Sequence, residues 1–115
     1  MKVIPKPGAN SSEGWLKSNE ESVVLAVSSV GSHGSRYLIW SDMQQSPVLF
    51  PASDFVIVDS TLSPRWSAVL DANGFICLAP EAWQMSGFWE SYYDGDAGAE
   101  SVFLNEMNLL TRQKT

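Results

Sequence analysis

The sequence predicts an α+β fold: a small antiparallel sheet or an SH3-like, partly closed barrel over residues 22–78, followed by two C-terminal helical segments. Three observations carry that reading. Six short apolar or β-branched runs follow one another at spacings of roughly 8–12 residues, which suits antiparallel strands. The links between them hold Gly, Asn, Asp and Ser, the residues of turns. After Leu78 the apolar period changes from two to three and four, which is the period of a helix.

The elements follow in chain order. Residues 1–14 are rich in Pro, Gly, Ser and Asn and read as a flexible lead-in, leaving residues 15–115 as a single domain. Residues 22–27 (Ser-Val-Val-Leu-Ala-Val) form the first strand, and residues 28–35, with Gly31 and Gly34, form a turn. Strands at 36–40, 47–50, 54–59, 66–70 and 75–78 follow. Asp71-Ala72-Asn73-Gly74 joins the last two, and Asn-Gly between apolar runs signals a hairpin because both residues tolerate positive φ. Ala79-Pro80-Glu81 places proline and an acid where a helix starts. Ser86-Gly87 interrupts, Phe88 to Tyr93 make one or two further turns, and Asp96 caps a final helix over 97–111. On that helix Ala99, Phe103, Met107 and Leu110 recur at helical spacing, with Val102 beside them. Arg112 and Lys114 lie at its end, where cations suit the dipole.

Composition sets limits on function. Five Trp, five Phe and three Tyr in 115 residues supply enough apolar area for a core without staples. Cys77 is the only cysteine, which excludes an intramolecular disulfide and a cysteine-built zinc site. Its neighbours Phe75, Ile76 and Leu78 read it as a small hydrophobe. No stretch reaches the roughly 18 apolar residues that span a bilayer, and the N-terminus has no secretory pattern, so a cytoplasmic protein is expected. The net charge is −6. It is uneven: residues 66–111 carry seven acids and no base. Such a field opposes nucleic acid and anionic membranes and steers a basic partner inward.

The candidate chemical motifs fail one by one. His33, the only histidine, sits between Ser32 and Gly34 in a glycine-flanked turn that supplies no third group to orient an imidazole. Asp94-Gly95-Asp96 opens like a calcium loop, but Gly98, Ala99 and Asn105 stand where the loop needs a ligand, a glycine and a bidentate glutamate. Asp94, Asp96 and Glu100 are close in sequence, yet an exposed helix start has nothing apolar to raise a carboxyl pKa for acid catalysis. P-loop, dinucleotide and zinc-protease patterns are missing. The expectation is a protein that is not an enzyme and holds no cofactor or metal.

What remains is residues 87–96, Gly-Phe-Trp-Glu-Ser-Tyr-Tyr-Asp-Gly-Asp, with four aromatics and three acids in ten residues. Two readings stand. Phe88 and Trp89 plug the sheet while the acids are solvated, or some of Trp89, Tyr92 and Tyr93 stay at the surface as anchors rimmed by charge. Together with Leu49-Phe50-Pro51-Ala52-Ser53-Asp54-Phe55-Val56-Ile57-Val58-Asp59 and Leu78-Ala79-Pro80-Glu81-Ala82-Trp83, this segment resembles small bacterial immunity proteins of polymorphic or contact-dependent toxin systems. The resemblance covers about residues 36–110. It implies a protein that binds and neutralises a cognate, basic toxin domain, with no shared catalytic residues. Trp89, Glu90, Tyr92, Tyr93, Asp94, Asp96 and Glu100 are the expected binding surface. The alternative is a general interaction or scaffold module without a toxin partner.

Overall fold

The computed structural model describes residues 1–112, without the side chain of His33; Lys114 therefore lies outside the described residues. The described residues form eight strands and two α-helices: β1 (Lys2–Pro5), β2 (Ser22–Val23), β3 (Ala26–Val30), β4 (Ser35–Ser41), β5 (Ser46–Pro51), β6 (Phe55–Asp59), β7 (Trp66–Leu70), β8 (Phe75–Pro80), α1 (Phe88–Tyr93) and α2 (Ala97–Arg112). The strands pair antiparallel throughout, in two sheets ordered β2-β1-β6 and β5-β4-β3-β8-β7. The fold is α+β, as the strand runs and the change of period predict.

Of the two architectures expected, the barrel does not close. β3 pairs with β4 on one edge and β8 on the other, so the five-stranded ladder extends outward. The bent segment 22–30 serves both sheets, Ser22 and Val23 pairing with β1 and residues from Ala26 onward with β4. At the bend the backbone N–H of Val24 donates to the Met1 carbonyl and that of Leu25 to the Leu38 carbonyl. Leu25 and Ala26 both face the same core, a slip in side-chain alternation that redirects the strand.

Residues 1–14 are not a flexible lead-in. β1 is the middle strand of its sheet, and Val3 is fully buried. The β-branched pair Val3-Ile4 is short, but it is flanked by β2 and β6 and takes ladder bonds from both. The segment after it is tied down too: the Ser41 hydroxyl donates to the Trp15 carbonyl, and Gln44 Nε2 donates to the Gly14 carbonyl at 2.9 Å. Nor do residues 28–35 form one turn. Ser28 and Ser29 continue β3, paired on both sides, and only Gly31–His33 coil into a 3-10 turn. In the hairpin at 71–74 only Gly74 has positive φ; the Asp71 carboxylate fixes the turn by accepting from the N–H groups of Asn73 and Phe75 at 2.8 and 3.0 Å.

β4 explains how two cores arise. Its residues alternate, so Tyr37 and Ile39 meet Val3, Val24, Phe50 and Phe55 between the sheets, while Leu38 meets the helices on the opposite face. The helix-side core gathers Leu25, Ala26, Ala79, Trp83, Phe103 and Leu110. Trp66 packs against both clusters, and its indole N–H donates to the Leu25 carbonyl at 2.9 Å, at the bend itself.

Candidate functional site

The C-terminal third is built around Phe103. The spacing of Ala99, Phe103, Met107 and Leu110 makes one face of α2, and Ala99, Phe103 and Leu110 are buried. Asp96 starts the helix by accepting the Ala99 N–H at 2.9 Å. Midway along it, Arg65 from the loop before β7 makes a two-bonded ion pair with Glu106, at 2.7 and 2.6 Å. That contact lowers the Glu106 carboxyl pKa, chiefly through the hydrogen bond, with burial acting the other way.

Ahead of α2 the chain runs through a 3-10 turn, Glu81–Gln84, and then through Gly87, whose φ of 80° is the left-handed geometry that glycine adopts without strain. This reversal lays α1 across Phe103. Trp83 stacks on the Phe103 ring with centroids 4.8 Å apart, Tyr92 approaches it at 4.8 Å and Trp89 at 5.9 Å. The aromatic segment is therefore divided between core and surface. Phe88, Trp89 and Tyr92 are half-buried against the helix-side core, whereas Tyr93 is 63% exposed. Burial raises the pKa of both phenols, helped at Tyr92 by the nearby Tyr93 and Glu100, so each is a neutral hydroxyl at pH 7.

Trp83, Trp89 and Tyr93 also form one wall of a groove of about 490 Å³. Its floor is the helix-facing side of the five-stranded sheet: Ala26, Ser28, Leu38, Leu49, Cys77 and Ala79. The strand register explains why these residues share a face, since Leu38 lies opposite Leu49 and Ser28 opposite Cys77. Among the described residues no charged side chain lines it. Gln84 holds the wall by donating from Nε2 to the carbonyls of Ser67 and Ala79, at 2.7 and 3.1 Å. The Trp83 indole N–H is buried without an acceptor, and burial raises the pKa of the Cys77 thiol. No protein-family model, curated protein or solved structure matches this chain.

Of the expected surface residues, Trp89 and Tyr93 come together at the groove, their rings stacked 5.9 Å apart. Glu90 and Asp94, each next in sequence to one of them, are exposed, as are Asp96 and Glu100. Asp96 also caps α2, and Tyr92 also packs on Phe103. Sequence reasoning missed Leu49, Ser28, Phe75 and Cys77, which the register alone delivers to the groove. It also missed a pocket of about 230 Å³ where Trp15, Trp40, Glu20, Glu21 and Asp42 meet Lys17. Among the described residues no cluster of His, Cys, Asp or Glu could hold a metal, and no helix is long and apolar enough to cross a membrane. The arrangement offers recognition by shape, apolar contact and charge.

Proposed function

We propose that this protein works by binding a basic protein partner on the surface around α1 and the start of α2, and that it does so as an immunity-type inhibitor of a toxin domain. One observation carries the binding reading: an exposed tyrosine and a half-buried tryptophan stand together at an apolar groove, within a 46-residue stretch that holds seven acids and no base. Tyr and Trp are favoured anchors because they bring large contact area with little rotamer entropy. Carboxylates beside them speed encounter with a cationic surface and disfavour acidic competitors. Of the seven, Glu106 is already paired with Arg65, and Asp71 and Glu81 lie before α1, so Glu90, Asp94, Asp96 and Glu100 are the acids that supply the field around α1 and the start of α2. The inhibitor role rests on the sequence resemblance; the alternative is an interaction module whose partner is not toxic.

Capture from the native host tests both parts. Tagged protein should retain a basic protein, and the form with Glu90, Asp94, Asp96 and Glu100 replaced by amides should lose most of it. Expressed alone, that partner should arrest growth, and co-expression of this protein should relieve the arrest. A captured partner without toxicity selects the interaction module. Retention that ignores the four substitutions would remove the acidic surface from the account.

A further inference from the structure

Resting on that reading, we infer that the groove receives a short amphipathic helix of the partner, which inserts two large apolar side chains between Trp89 and Leu49 and places lysines or arginines beside Glu90 and Asp94. The charge pattern commits the occupant. A lining that is mostly apolar, Ser28, Gln84 and the Tyr93 hydroxyl aside, favours apolar groups, while exposed carboxylates next in sequence to Trp89 and Tyr93 favour cations near it. A volume of about 490 Å³ lies within the ordinary range for ligand sites, which is roughly 300–1,000 Å³, and exceeds what one side chain fills. The mode of entry follows from β5, the edge strand that borders the groove. Pro47 and Pro51 have no N–H, so this edge offers a poor ladder to an added strand. A helix needs no ladder and presents side chains at i and i+4 from one face. Leu49, half exposed at 51%, is an unfilled floor position of the kind such a side chain covers.

The probe is a synthetic capped helix of about four turns, with leucines at i and i+4 and lysines on its other faces. Its binding to the full chain is followed by fluorescence anisotropy, and the alkylation rate of Cys77 by N-ethylmaleimide is followed in parallel. The peptide should slow Cys77 alkylation, and its leucine-to-serine analogue should not. Leu49→Lys should weaken binding about tenfold or more, equivalent to about 1.4 kcal/mol. Glu90→Gln with Asp94→Asn should weaken it at low salt only, while Glu20→Gln with Glu21→Gln, at the separate pocket, should leave it near wild type. A peptide that leaves Cys77 as reactive as in the free protein overturns the inference, and this readout needs no variant to fold. The same readout on a captured basic partner separates the two proposals. If that partner binds without protecting Cys77, the groove is not the site although partner binding stands; if no basic partner is captured, the broader reading fails instead.

Discussion

Phe103 is the fully buried centre of the C-terminal third, with four rings from Trp40, Trp83, Trp89 and Tyr92 converging on it. Phe103→Ala should cost about 3–5 kcal/mol, read as a lowered denaturation midpoint. This residue is legible in sequence, since helical spacing alone singles it out. The Arg65–Glu106 pair is not legible, because the partners lie 41 residues apart. Its effect on pH is nonetheless defined. A carboxyl whose folded pKa is lowered stabilises the fold above its unfolded value and loses that contribution as pH falls through the folded one. Stability should therefore decline as pH drops below about 4.5, the ordinary value for glutamate, and Glu106→Gln should flatten that decline. A thermal-melting series from pH 6 to the acid limit compares the two; equal slopes would show that the pair contributes nothing.

At the scale of elements, strand and helix runs can be read because their pattern is local. Pairing cannot, because it is settled by contacts between distant segments. β1 illustrates this: residues 2–5 look like a loose end until β2 and β6 flank them. The groove shares that fate, since Leu49 and Cys77 meet only through the order β5-β4-β3-β8. α1 is short, and its placement depends on the reversal at Gly87. Gly87→Ala forces a side chain into left-handed geometry, at about 1–2 kcal/mol. No neighbour crowds the added methyl, whose nearest contact would be 3.7 Å from Glu90, so the strain is in the backbone alone. The variant should melt lower and show broadened signals from Trp89 and Tyr93, while the sheet-to-sheet core keeps its dispersion.

Across the whole molecule, the uneven charge is the property that sequence reveals most fully, and it predicts kinetics. Replacing Glu90, Asp94, Asp96 and Glu100 by amides should slow association with a basic partner and flatten its salt dependence, since exposed charges act mainly on encounter. Tyr93→Ala should instead speed dissociation, by about tenfold or more if it is an anchor. Stopped-flow binding at two salt concentrations separates these effects. An on-rate indifferent to salt would reduce the acids to a solubility device. Asp96 belongs to this set although it caps α2, because an asparagine there accepts the same N–H and the fold should survive the change.

The bend at Val24 and Leu25 has a consequence for how the molecule comes apart. One stretch of backbone supplies ladder bonds to both sheets, and Trp66 clamps it while touching both cores. Neither half can open without releasing the segment that the other half needs. Unfolding should thus be a single cooperative event, with fluorescence and circular dichroism losing signal at one midpoint. Amide exchange should show the same unity: the N–H groups of Val24 and Leu25 should exchange only through global opening, among the slowest in the chain. Trp66→Phe removes the indole donor but leaves the shared backbone, so it should weaken the clamp and speed exchange of the Val24 and Leu25 amides while unfolding keeps one midpoint.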